Sequence, residues 1–170
     1  GVSANLDLIE CAIEEKADAI FVHHGIFWDN EAKTITGAKR QKISLLLNHN
    51  INLFGFHLPL DDHPDIGNNV ELGKLLGIKN MQPVKDSLLW QGELNSNVID
   101  FSKLIDAKLD RTPQIFGKQE GKIKNIAWCT GGAQSFIEDA INLNVDLYLS
   151  GEVSEKTPAA AKENNITFIS

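Results

Sequence analysis

Apolar residues three or four positions apart at Leu6, Ile9, Ala12, Ile13 and Ala17 predict a helix over about 6–16, with Asn5 placed to cap it. The apolar run Ala19-Ile20-Phe21-Val22 is too short for a helix and reads as a buried strand ending at His23-His24-Gly25. The rhythm then returns. Thr36 stands where a cap belongs, a helix runs to Leu47, and Ile51 to Phe56 forms a second strand ending at His57. Pro59, Asp61, Asp62, Pro64 and Gly67 predict a loop, after which Asn68 or Asn69 starts a short helix to Leu76. Both strands thus deliver histidine into a polar loop.

From Val84 the pattern predicts a strand through Leu94, a helix over 97–109 capped by Ser96, and a short strand near Ile115. A third strand-loop-helix follows: Ile123 to Cys129, the loop Thr130-Gly131-Gly132-Ala133, and a helix from Ser135 to Leu143. A fourth runs from Leu147 to Ser150 through Gly151-Glu152-Val153-Ser154-Glu155 into a helix starting near Pro158, where proline suits a first turn. The fold class is therefore α/β, with repeated strand-loop-helix units forming mixed or parallel sheets. Residues 1–82 read as a first unit, 83–122 as a middle strand-helix unit and 123–170 as a second α/β unit, a single interlocked domain being the other reading. In such sheets ligands gather outside the carboxyl ends of the strands, and His23, His24, His57, Thr130 and Glu152 all fall there.

Charge and cysteine usage narrow the field. A formal net charge of -7 with a sequence pI near 5.2 argues against a surface built to neutralise phosphates, which makes nucleic acid an unfavoured partner unless a basic patch hides within the average. Cys11 and Cys129 have no CxxC spacing, so neither a disulfide framework nor a thiolate zinc site is expected, and a reducing compartment is the simpler reading. Without a signal pattern or a long apolar run, no membrane is expected and the reading is cytoplasmic. The only methionine is Met81, the chain opens inside what reads as a helix and stops after a strand-like run, so an internal segment of a longer polypeptide is expected.

Adjacent histidines inside a strand point to opposite faces, but at a strand end the backbone can turn and bring both to one centre. His23, His24 and His57, with Asp61 four residues beyond His57, supply the mixed nitrogen and oxygen donors that zinc, iron, manganese or nickel accept. Singly each has an ordinary structural reading; at corresponding ends of neighbouring strands they favour metal. His49 at a helix end reads as structural, and His63 as solvated or lining the pocket. The Thr130-Gly131-Gly132 loop is an anion cradle or a plain tight turn, and Glu152 a general base or a solvated loop carboxylate. Phe27 and Trp28 beside the histidine pair read as an apolar wall or as ordinary core, with core the favoured reading.

Four ordered motifs carry a resemblance along essentially the whole chain: Phe21-Val22-His23-His24-Gly25-Ile26-Phe27-Trp28, His57-Leu58-Pro59-Leu60-Asp61 with Gly67-Asn68-Asn69, Cys129-Thr130-Gly131-Gly132-Ala133, and Ser150-Gly151-Glu152-Val153-Ser154-Glu155. Together they resemble the Nif-three-like dinuclear metal-centre family, whose bacterial members are often labelled GTP cyclohydrolase 1 type 2 homologues. The resemblance implies a fold of two interlocked α/β units, two divalent metal ions, His23 and His24 as paired ligands, Asp61 as a bridging-type carboxylate, and His57 as a ligand or close neighbour. It also implies a homo-oligomeric ring, often a hexamer, with metal sites facing an internal cavity. The family's remaining histidine and glutamate ligands would lie beyond Ser170. A metal-dependent hydrolase of a nucleotide-like substrate is the leading expectation, with Glu152 as proton shuttle and Thr130, Gly131 and Gly132 at a phosphate. A non-catalytic metal-binding scaffold or regulatory protein is the rival, and DNA threaded through a ring a third idea that the acidic charge disfavours.

Overall fold

A computed structural model describes all 170 residues, which divide into two compact units, Gly1–Leu60 and Asp61–Ser170. In the first, Asn5 is extended and its side chain accepts the Leu8 N–H at 2.9 Å, capping α1 (Leu6–Glu14). Lys16, at a φ of 55°, turns the chain out of that helix towards β1 (Ala19–Val22). The helix α2 (Gly37–Asn48) then leads to β2 (Asn52–Gly55), which lies parallel to β1 with Ala19 opposite Asn52 and Val22 opposite Gly55. The period-2 alternation of a strand decides what is buried: Ile20 and Val22 join Ile9, Ala12, Leu46 and Ile51 in a core, while Phe21 faces outward and stacks on Phe54 with ring centroids 5.0 Å apart.

Two expectations change here. The residues ahead of α1 are extended rather than helical, with Ser3 bridging to His24 in parallel and the Ala4 N–H donating to the His24 carbonyl at 2.9 Å. After β2, the stretch read as loop contains one helical turn, α3 (Leu58–Asp61), begun by the Leu60 N–H on the His57 carbonyl at 2.9 Å.

The second unit holds α4 (Asn68–Leu75), β3 (Lys79–Pro83), β4 (Trp90–Asn97), α5 (Val98–Leu109), β5 (Ile115–Gly117), β6 (Lys122–Cys129), α6 (Ile137–Asn142), β7 (Leu147–Ser150), α7 (Lys156–Glu163) and β8 (Thr167–Ile169). Its strands form one mixed sheet in the order β3-β4-β6-β7-β8-β5, with β6, β7 and β8 parallel and the remaining pairings antiparallel. The near-continuous apolar runs of β6 and β7 follow from burial on both faces. Ile126, Trp128, Leu147 and Leu149 pack with Val70 of α4 and Phe101 of α5, whereas Ala127, Cys129 and Tyr148 pack with Ile137 of α6 and Ala161 of α7. Helices on both faces of a partly parallel sheet give the expected α/β class, and no helix is long and apolar enough to cross a membrane.

Where the sequence predicts one strand over 84–94, the chain makes a hairpin. Asp86 takes a φ of 57°, the Val84 N–H closes the turn on the Leu89 carbonyl at 2.8 Å, and the strands flank it as β3 and β4. The polar run Lys79-Asn80-Met81-Gln82-Pro83 hides β3 because an edge strand tolerates polar residues and proline. Asn97, not Ser96, caps α5, its side chain accepting the Asp100 N–H at 2.9 Å. The helix read from Ser135 begins with a 3-10 turn over Gln134–Phe136 before α6. Pro158 is the third residue of α7, inside the first turn where its missing N–H costs no helical bond.

Two measurements test this packing. A Cβ on Gly73 of α4 would press on the Met81 sulfur and lie 2.8 Å from the buried Trp128 ring. Gly73→Ala gains roughly 1 kcal/mol in helix propensity but adds overlap worth about 1–3 kcal/mol, so urea denaturation should show a net loss of stability.

Burial, and then the Asp61 charge, pushes the Cys129 thiol up from an ordinary 9.0 to about 11, while Cys11 is exposed. A thiol reagent at pH 8 should therefore modify one cysteine quickly and the other only on unfolding. Because the folded state keeps the Cys129 proton between pH 9 and 11 while the unfolded chain loses it, stability should fall across that window, less steeply in Cys129→Ala.

Candidate metal centre

Adjacent parallel strands end side by side, and in the first unit that alone brings three imidazoles together. His23 and His24 leave β1 immediately after Val22, His57 follows β2 by two residues, and Val22 is paired with Gly55. One nitrogen from each ring lies within 4.8 Å of the others, and the His23 and His24 ring centroids are 4.7 Å apart. The reason adjacent histidines can share a side is visible in the backbone. The His23 and His24 N–H groups both donate to the Val2 carbonyl, at 3.0 and 2.8 Å, whereas successive N–H groups of a regular strand point in opposite directions. The chain has left strand geometry at this point.

Hydrogen bonds fix the rings. His23 Nδ1 is 2.7 Å from the Phe56 carbonyl oxygen, and since a carbonyl only accepts, Nδ1 carries the proton and Nε2 bears the lone pair of the neutral ring. His24 Nδ1 is 3.0 Å from the Ser3 hydroxyl, which can donate or accept. Anchoring the second ring nitrogen on a protein oxygen is the usual way a histidine ligand is oriented. The donor set fits a borderline divalent ion. Nitrogens around one tetrahedral ion sit about 3.3 Å apart, so the widest pair here needs to close by at most about 1.5 Å.

Phe27 and Trp28, for which the sequence favours core, are instead 72% and 39% exposed, and Ile26 takes the interior place at 7%. The Trp28 indole stands edge-on to His57 with centroids 5.0 Å apart and 5.9 Å from His24. With His23, His57 and the apolar side chains of Ile43, Leu46 and Leu53 it lines a cleft of about 500 Å³. His49 lies outside the cluster as the cap at the end of α2, and His63 accepts the Asp65 and Ile66 N–H groups on Nδ1 at 3.2 and 3.4 Å, which makes it a loop brace.

In the second unit Asp61 is 9% exposed, and its Oδ1 accepts hydrogen bonds from Asn68 Nδ2 at 2.8 Å and the Thr130 hydroxyl at 3.3 Å. The Thr130 N–H donates to Asn69 Oδ1 at 2.8 Å. Gly131, at a φ of +73°, turns its carbonyl to accept the Gly151 N–H at 2.9 Å, and a Cβ on Gly151 would lie 2.7 Å from that oxygen. Glycine there lets the loops after β6 and β7 close on each other, with the Glu152 carboxylate 3.2 Å from where a Gly132 Cβ would stand. Asp61, Thr130, Gly132 and Glu152 therefore form one neighbourhood beyond the carboxyl ends of β6 and β7. Asn68 and Asn69, expected as helix starts, do not cap α4: Gly67 is the residue preceding it, and the two amides serve Asp61 and Thr130 instead. Their place in the Gly67-Asn68-Asn69 motif marked them without explaining them.

Residues 1–170 match the Duf34/NIF3 (NGG1p interacting factor 3) family throughout. A GTP cyclohydrolase 1 type 2 homolog of Neisseria meningitidis serogroup A is 44% identical over 176 residues, spanning 99% of this chain and 69% of that protein. The homolog of the same name in Escherichia coli K12 is 43% identical over 171 residues, with 99% and 69% covered. Among solved structures, protein ybgI, described as of unknown function, matches with a TM-score of 0.91 and 42% identity over 99% of this chain and 69% of that one. Reduced HcgD from Methanocaldococcus jannaschii shares the fold, with a TM-score of 0.88 at 23% identity, 99% of this chain and 68% of that one being covered. With the family matched from the first residue to the last and close relatives in several bacteria, this chain belongs to the Duf34/NIF3 family.

Proposed function

We propose that the chain helps to hold two divalent ions, with His23, His24 and Asp61 as ligands and His57 as a further ligand or close neighbour, and that this centre hydrolyses a nucleotide-like substrate. The observation that carries the reading is the gathering of three imidazole nitrogens within 4.8 Å, with His23 held on the Phe56 carbonyl. Zinc, iron, manganese and nickel all suit these donors. When bound, such an ion lowers the pKa of a coordinated water and polarises the centre under attack.

The other residues have stated roles. Glu152 shuttles a proton. The Thr130-Gly131-Gly132 loop meets a phosphate through Gly131 and Gly132, because the Thr130 N–H is engaged by Asn69. Trp28 offers an exposed aromatic wall beside His24 and His57, against which a planar base can lie. The name carried by the bacterial relatives makes GTP the first substrate to try, with C8 of guanine as the attacked carbon. Assembly into a homo-oligomeric ring, hexameric as the family resemblance implies, belongs to the same proposal.

Elemental analysis and turnover by the full-length protein test this reading. Two divalent ions per chain are expected, with hydrolysis of at least one compound in a panel of nucleotides and phosphoesters. His24→Ala should lower metal content and cut the rate at least 100-fold while the assembly, measured by light scattering, persists. Full metal content in His24→Ala would remove the centre from these residues. An inert, metal-loaded wild type would overturn the hydrolase and favour the scaffold, in which the same substitution lowers Tm or breaks the ring.

A further inference from the structure

The Gly67-Asn68-Asn69 stretch is not needed to start a helix. Gly67 precedes α4 without a side-chain cap, and neither asparagine caps it. Asn69 is instead fully buried, and both ends of its amide are in use: Nδ2 donates to the Leu88 carbonyl at 3.1 Å and Oδ1 accepts the Thr130 N–H at 2.8 Å. Its backbone carbonyl accepts the indole N–H of Trp128, itself fully buried, at 2.8 Å. Thr130 is thereby held rigidly at the end of β6. Its hydroxyl and the Asn68 amide then both donate to one oxygen of Asp61, Oδ1.

From this chain of contacts we infer that Asn68 and Thr130 are positioning residues for the Asp61 carboxylate as a metal ligand, with Asn69 as the brace that sets Thr130. Two donors on the same oxygen fix the rotation of the carboxylate about its own bond. Both are neutral, so they orient the group without cancelling its charge, where a lysine or arginine would compete with a cation for it. Placing the donors on two different elements, α4 and the end of β6, ties the orientation of Asp61 to the packing of the sheet. The inference rests on Asp61 being a ligand, as proposed above.

Calorimetric titration of the metal-free full-length protein with Mn²⁺ or Zn²⁺ tests it. Asn68→Ala and Thr130→Val should each weaken one of two binding steps by 10–100-fold, the range found for partners of metal ligands, and leave the other step unchanged. Thr130→Ser restores the hydroxyl and should bind like the wild type, which a purely structural role for the threonine methyl does not predict. The Tm of each metal-free variant should stay close to that of the wild type. Unchanged affinities in Asn68→Ala and Thr130→Val, in a protein where Asp61→Asn abolishes a step, would overturn the positioning role alone. Unchanged binding in Asp61→Asn would overturn the ligand assignment and this inference with it.

Discussion

The parallel pairing of β1 with β2 is the constraint on which the histidine cluster depends. Four residues on each strand run in register from Ala19 opposite Asn52 to Val22 opposite Gly55, so the two strands end together and the imidazoles that follow are neighbours. An antiparallel pairing would place the carboxyl end of one strand beside the amino end of the other and separate His57 from the pair by the length of the strand. Parallel pairing requires a crossover, and α2 supplies it, its Leu46 packing into the core formed by Ile20 and Val22. The side-by-side strand ends, and with them the three imidazoles, thus depend on the hydrophobic packing of the crossover helix.

The second unit uses the same geometry with different donors. Its parallel strands β6 and β7 end at Cys129 and Ser150, and the loops beyond them carry Thr130, Gly131, Gly132 and Glu152. Burial on both faces anchors these strand ends, since Ile126 and Trp128 are 0% exposed on one side and Ala127 and Tyr148 are 0% exposed on the other. Tight packing of this kind transmits a shift of the sheet to the loops. Gly151, which allows the close approach to Gly131, shows how little slack remains.

Much of this was legible in the sequence because the decisive signals are local. Short apolar runs ending in histidine mark β1 and β2, and continuous apolar runs mark β6 and β7. What was not legible depends on contacts distant in sequence. Nothing near Asn69 announces that it accepts a hydrogen bond from Thr130, 61 residues away, and an asparagine before a helix reads most simply as a cap. For Trp28 the less favoured of two readings, a wall beside the histidines, is the one that fits: apolar residues are expected inside, yet Ile26 already fills that place and the indole turns towards the histidines. β3 escaped because an edge strand needs little apolar alternation, and the turn at Asp86 separates what the sequence read as one strand.

A common feature links the two sets of candidate donors. The His23 and His24 rings and Asp61 share uncharged hydrogen-bond partners, among them a backbone carbonyl, two hydroxyls and a carboxamide. Neutral partners fix direction and leave donor strength intact. Each of these contacts gives its side chain a direction while adding no charge of its own, as the partner of a metal ligand does.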